Sequence, residues 1–198
     1  LYDSHEQEYE VLVLDPEDEV DSAVVIEELG EYDWGEDDDA QLRRYDTEEA
    51  LLDGFLAYFE RVRPDMTTGW NWVGFDILYL LRRIKRLYGE ENNLDLDRLS
   101  DAGGTKRNFR DYHGDLARAI TGVPAVDMQK LFFERIEYTE WRSEALDYVA
   151  SEVVGHGKVE GMSVKEGYNH QRSRFVAYNV VDVMLCVEID AEREILDT

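Results

Sequence analysis

The spacing of apolar positions changes several times along the chain, and each change predicts an element. Glu10–Leu14 (EVLVL) reads as a strand, with Val11 and Val13 facing opposite to Leu12 and Leu14. Asp15-Pro16-Glu17-Asp18 punctuates it, and Ala23–Ile26 reads as a second extended run. Glu31–Asp39 is an acidic loop. In Thr47–Val62 the residues Leu51, Leu52, Phe55, Leu56 and Phe59 recur at helical spacing. Asp46 with Glu49 forms a capping box for that helix, and Pro64 stops it. Met66–Trp70 predicts a short strand, Asn71–Gly74 a loop, and Phe75–Tyr88 a second amphipathic helix ending at Gly89. Glu90–Gly122 is polar, with basic spots at Lys106, Arg107 and Arg110, and reads as largely irregular. Pro124–Met128 predicts a short strand running into a helix at Gln129–Ile136. Ser143–Val154 is helical with Gly155 as its stop, and Phe175–Ile195 is the last helix. With neither an internal repeat nor a linker, residues 1–198 read as one mixed α/β domain.

Composition narrows the class. Of 198 residues, 43% are hydrophobic and 12% aromatic, enough for a packed core and too many for a disordered acidic chain. There is no apolar run of about 18 residues, so no transmembrane helix is expected. Nor does the chain open on a secretory signal. The single cysteine, Cys186, excludes an internal disulfide framework and a multi-cysteine zinc site, and a reducing, cytoplasmic setting fits. The chain opens on Leu1 rather than Met, as a processed protein or a piece of a longer one would.

Charge changes the picture further. The 46 acidic and 21 basic residues give a formal net charge of −25. At ordinary salt that repels polyanions, but at about 1 M salt the Debye length falls to about 3 Å and the objection disappears. Sixteen Arg beside only five Lys, under a large carboxylate excess, suit a salt-loaded cytoplasm. An acidic solvated face on an ordinary protein is the alternative.

Two places carry candidate chemistry. In Gly69-Trp70-Asn71-Trp72-Val73-Gly74-Phe75-Asp76 a strand runs through a tight loop into a helix, so Asp76 sits in the first helical turn. A carboxylate there faces the mouth of the sheet, where catalytic groups gather; it equally complements the helix dipole. In Tyr178-Asn179-Val180-Val181-Asp182 the hydroxyl and carboxylate are i and i+4 on one helix face. They can reach one water or one metal, or simply bond each other. The histidines His5, His113, His156 and His170 lack metal-ligand spacing, and Gly103-Gly104-Thr105-Lys106 lacks that of a phosphate loop. Cys186 falls on the apolar stripe of the last helix and reads as a buried thiol.

Taken together, N-x-x-x-F-D at Asn71–Asp76 and Y-x-x-x-D at Tyr178–Asp182 resemble the second and third motifs of the proofreading 3′–5′ exonuclease domain of family B DNA polymerases. Arg63–Thr68 is similar to the strand leading into the second motif, and Tyr79-Leu80-Leu81-Arg82-Arg83 to its helix. Val126-Asp127-Met128, Ala145–Val149 with Gly157-Lys158, and Asp182–Cys186 extend the resemblance over most of the chain, and the acidic bias resembles a haloarchaeal version. The resemblance implies an RNase H-like (DEDD exonuclease) fold, a mixed sheet flanked by helices. It implies two-metal hydrolysis by Mg²⁺ or Mn²⁺, hard ions that prefer oxygen ligands. Asp76 and Asp182 would be two of four ligands, Tyr178 would orient the attacking water, and Asn71 and Phe75 would shape the site. The implied partners are a single-stranded DNA 3′ end and the rest of a parent polymerase, with no membrane.

The first family motif, D-x-E on a strand, has one upstream candidate, Asp15-Pro16-Glu17. Pro16 removes a backbone donor inside it, and too little chain follows for two further strands before the Thr47 helix. Leu1–Ser4 and Glu10–Leu14 look instead like the second and third strands. The expectation is an internal fragment starting just after the first motif, with Asp15 and Glu17 as secondary ligand candidates. Such a chain would bind Mg²⁺ weakly and hydrolyse DNA slowly or not at all, and its open sheet edge would favour dimers. Three rivals stand beside this reading. One is a non-catalytic nucleic-acid-binding or scaffold domain, with Trp70, Trp72 and Phe75 stacking bases and Arg82, Arg83, Lys85 and Arg86 on phosphates. The others are an RNase of the same fold and an acidic protein–protein module.

Overall fold

Strand β2 (Glu8–Leu14) forms over the β-branched, apolar run that predicts it. Its outer neighbour β1 (Tyr2–Asp3) pairs antiparallel, Tyr2 opposite Tyr9. On its other side β3 (Ala40–Tyr45) pairs parallel in continuous register, from Tyr9 opposite Ala40 to Leu14 opposite Tyr45. The result is a small mixed sheet of order β1-β2-β3. Glu10 is buried in this sheet and is held by Arg43, with Nε 2.7 Å from its carboxylate, as a buried charge requires. The computed structural model describes residues 1–32, 40–88, 98–100, 105–110, 116–135, 141–157 and 163–196. The acidic stretch 33–39, the helix stop expected at Gly89, His113 and Lys158 lie outside them.

These residues fall into two compact units, 1–51 with 141–194, and 52–140 with 195–198. The first unit holds the mixed sheet and the helices α1 (Ser22–Leu29), α5 (Leu146–Val153), α6 (Val164–His170) and α7 (Arg172–Arg193). α7 packs against α1, α5 and α6 along Val176, Val180, Val181, Met184, Leu185 and Ile189, all buried. Helix α1 corrects the extended reading of Ala23–Ile26. Asp21 caps it by accepting the Ala23 N–H at 2.9 Å, and Val25 and Leu29, one turn apart, are both buried. Capping and burial at helical spacing outweigh the strand preference of the two valines. Helix α6 was not expected, and α7 starts three residues before the predicted Phe175. Gly155 ends the α5 segment as expected, with φ +87° just beyond the Val154 cap.

The second unit holds most of α2 (Glu48–Val62), α3 (Asp76–Tyr88), α4 (Met128–Arg135), the parallel pair β4 (Thr67–Gly69) and β7 (Ala125–Asp127), and a hairpin of β5 (Thr105–Arg110) and β6 (Leu116–Ile120). The N-cap of α2 is Thr47 rather than Asp46, since the Ala50 N–H donates to Thr47 Oγ1 at 3.2 Å. The hairpin corrects the irregular reading of Glu90–Gly122. Its register shifts between Arg107 and Phe109, so the strands do not keep one alternating pattern. α4 packs on β4 and β7, and α3 buries Ile77, Leu78, Leu81 and Ile84. Among the described residues no helix is long and apolar enough to cross a membrane.

Candidate active site

In the second unit, β4 delivers the chain into the loop that carries Asn71, Phe75 and Asp76. Thr68 Oγ1 donates to the Val126 carbonyl at 3.0 Å, which clamps β4 to β7. The Trp72 N–H reaches the Gly69 carbonyl at 3.3 Å, and Asn71 takes the left-handed conformation, φ +58°. Asparagine tolerates that conformation better than most side chains. A Cβ at Gly74 would collide with Asn71 Oδ1, so glycine lets the Asn71 amide lie over the loop backbone. Trp72 Nε1 donates to Thr67 Oγ1 at 3.0 Å, and Trp70 packs against Phe132 and Phe133. The Phe75 N–H donates to the Asn71 carbonyl at 3.0 Å, and Asp76, half-buried, opens α3.

Asp127 ties this loop to the next helix. Its Oδ2 accepts the Val73 N–H and its Oδ1 the Lys130 N–H, both at 3.2 Å. One carboxylate thus caps α4 and fixes the loop before Asp76. The sequence pattern assigns Asp127 no such role. An Asp directly before a helix start signals the cap, but nothing local signals the bond to Val73.

The other predicted pair lies in the first unit. Tyr178 and Asp182 stand one turn apart on α7, both half-buried, with the Asp182 Oδ1 atom itself buried. Tyr178 stacks on Phe175, centroids 6.2 Å apart and planes within 11°. The start of α7 is anchored to the end of β2, where Arg172 Nη2 donates to the Leu14 carbonyl at 2.5 Å. Ser173 Oγ accepts the Asp21 N–H at 2.8 Å, and Arg174 pairs with Glu28 at 3.1 Å.

Asp15 and Glu17 follow β2 in the same unit. Asp15 is buried, and its two oxygens accept the N–H groups of Glu19 and Val20, each at 3.0 Å. Its carboxylate therefore closes the turn at Pro16–Asp18, while Glu17 lies exposed on that turn.

Beside these geometries stands the comparison with known proteins, which gives the family of the chain. The pattern of the family "DNA polymerase family B, exonuclease domain" matches residues 16–149. The chain belongs to this exonuclease-domain family. It is 30% identical over 158 residues to the DNA-directed DNA polymerase of Escherichia phage RB69, covering 77% of this chain and 17% of that protein. It is 31% identical to the DNA-directed DNA polymerase of Enterobacteria phage T4 with the same coverage. The DNA polymerase of Red sea bream iridovirus is 28% identical over 167 residues. The chain therefore spans less than a fifth of the length of these relatives. The family match runs through residues of both units of the exonuclease domain.

Exonuclease domains of this family generally use divalent metals. Asp76 and Asp182 suit a hard divalent ion in kind, since both offer carboxylate oxygen. They do not suit a two-metal pair in number. Among the described residues no three His, Cys, Asp or Glu side chains form a group that could hold an ion.

Proposed function

We propose that this exonuclease domain removes nucleotides from a single-stranded DNA 3′ end, as the proofreading part of a longer DNA polymerase. The observation that carries this is the family match over residues 16–149, joined to relatives that are DNA polymerases. Asn71 and Phe75 shape the pocket for the terminal nucleotide, Asp76 and Asp182 are the carboxylates offered to Mg²⁺ or Mn²⁺, and Tyr178 orients water. Asp15 and Glu17 are secondary ligand candidates, and the bonds Asp15 makes to its own turn weigh against it. In this reading residues 1–198 are one domain with an RNase H-like arrangement, supported by the mixed sheet and its helices. A cytoplasmic, haloarchaeal setting is proposed on the charge of −25 and the arginine bias. A nucleic-acid-binding domain without catalysis is the second reading, favoured by the lack of a three-ligand group among the described residues.

The test is Mn²⁺-dependent release of nucleotides from 3′-labelled single-stranded DNA in molar KCl. Asp76→Ala and Asp182→Ala are each expected to abolish whatever release the chain supports. Release that survives both substitutions would overturn the site. A folded chain that binds DNA but releases nothing would favour the second reading.

A further inference from the structure

Beyond Phe75, which the proposed site already uses, the same face continues along α3 through residues that site does not use. Phe75 and Tyr79 are large apolar side chains left 63% and 55% exposed. They stack one turn apart, centroids 6.3 Å and planes within 9°. The same stripe continues at helical spacing through Arg82 and Arg86, both exposed. The opposite face, Ile77, Leu78, Leu81 and Ile84, is buried, so the stripe is the outer face of a packed helix. α3 carries four basic side chains, Arg82, Arg83, Lys85 and Arg86, against the single acid Asp76. In a chain of net charge −25 this is a local inversion of sign. Exposed aromatic faces followed by guanidinium groups one and two turns on suit a ligand that alternates stackable rings and negative charge.

We propose that Phe75, Tyr79, Arg82 and Arg86 form a track along which single-stranded DNA runs away from Asp76. This rests on the exonuclease reading for the identity of the ligand. Tyr79 supplies a second stacking surface beyond Phe75, and the two arginines take successive phosphates. At low salt the net charge of −25 disfavours the strand on the rest of the chain and so sharpens the preference for this face; in molar salt the track's own contacts carry it.

The test is anisotropy of labelled oligo(dT) with the full chain in EDTA, over a range of KCl concentrations, so that binding is read without hydrolysis. Tyr79→Ala is expected to weaken binding roughly tenfold, with Tyr79→Phe restoring most of it. Arg82→Gln with Arg86→Gln is expected to weaken binding and make the slope of log K against log salt shallower by about 1.4, two single-strand phosphate contacts. All three positions are solvent-exposed, so circular dichroism is expected to show an unchanged fold. Wild-type affinity and slope in every variant would overturn the track. Equal or tighter binding of oligo(U) would overturn DNA as its occupant. The Asp76→Ala and Asp182→Ala release assay separates the two ideas. If those variants lose release while the α3 variants bind normally, the track fails and the exonuclease reading stands. If release ignores both aspartates while the α3 variants lose DNA, the track stands and the catalytic reading fails.

Discussion

Asp127 accepts one backbone N–H group from the loop before Asp76 and one from α4, and so ties the two together. Replacing it with alanine leaves both donors without their acceptor. Asp127→Ala is expected to cost about 1–2 kcal/mol, the upper range for a lost cap. In a domain of this size that is a fall of about 2–4 °C in melting temperature per kcal/mol. Asp127→Asn keeps one acceptor oxygen and turns an amide NH₂ toward the second donor, so it should fall between wild type and alanine. Calorimetric melting of the three proteins checks the order, and an alanine variant as stable as wild type would remove the clamp. Asp15 shows the same chemistry at the turn after β2, where two backbone N–H groups occupy its oxygens.

Helix ends and interhelical pairs set the next scale. Gly155 has φ +87° and open space where a Cβ would stand. Gly155→Ala therefore meets no clash, only the left-handed backbone penalty of about 1 kcal/mol. A shift in urea midpoint of that size, with an unchanged slope, is expected. Arg98 grips Glu60 of α2 through two bonds of 2.9 Å and reaches Asp53 of the same helix at 3.3 Å. The hydrogen bonds from Arg98 hold the Glu60 carboxyl below its ordinary value. Because the folded value is the lower one, the pair stabilises above the ordinary carboxylate range and its contribution fades as pH falls through the depressed value. Glu60 is well exposed, so salt also weakens the pair. Urea midpoints of wild type and Glu60→Gln should differ at neutral pH and converge on acidification and in molar KCl. A gap independent of pH would contradict the assignment.

Across the whole molecule, charge outweighs any single contact. With −25 on 198 residues, self-repulsion destabilises the folded chain at low salt. Melting temperature is expected to climb as KCl rises from about 0.05 M to about 1 M, where the screening length shrinks from well over 10 Å to about 3 Å. A flat or falling curve would remove the salt-loaded setting and leave the acidity as an ordinary solvated surface. The same screening governs the approach of DNA, so binding and stability belong in one salt series.

The sequence by itself determined what depends on near neighbours. The strand at Glu10–Leu14, the apolar stripes of α2 and α3, the glycine stop at Gly155 and the i, i+4 pair Tyr178–Asp182 all follow from local patterns, and all appear in the structure. The candidate residues Asn71, Phe75 and Asp76 were legible because a strand, a tight loop and a helix follow one another within a few positions. Tertiary structure decided what depends on partners far along the chain. β3 becomes a strand through parallel pairing with β2, and β5 with β6 through a ladder whose register shifts. Ala23–Ile26 becomes helix because Val25 and Leu29 are buried in a unit where α1 meets α7. The Asp127 bond to Val73 spans 54 positions, and the Arg172 bond to Leu14 spans 158. Periodicity reports which face of an element is buried; it does not report against what, and that is where the loop clamps and helix anchors arise.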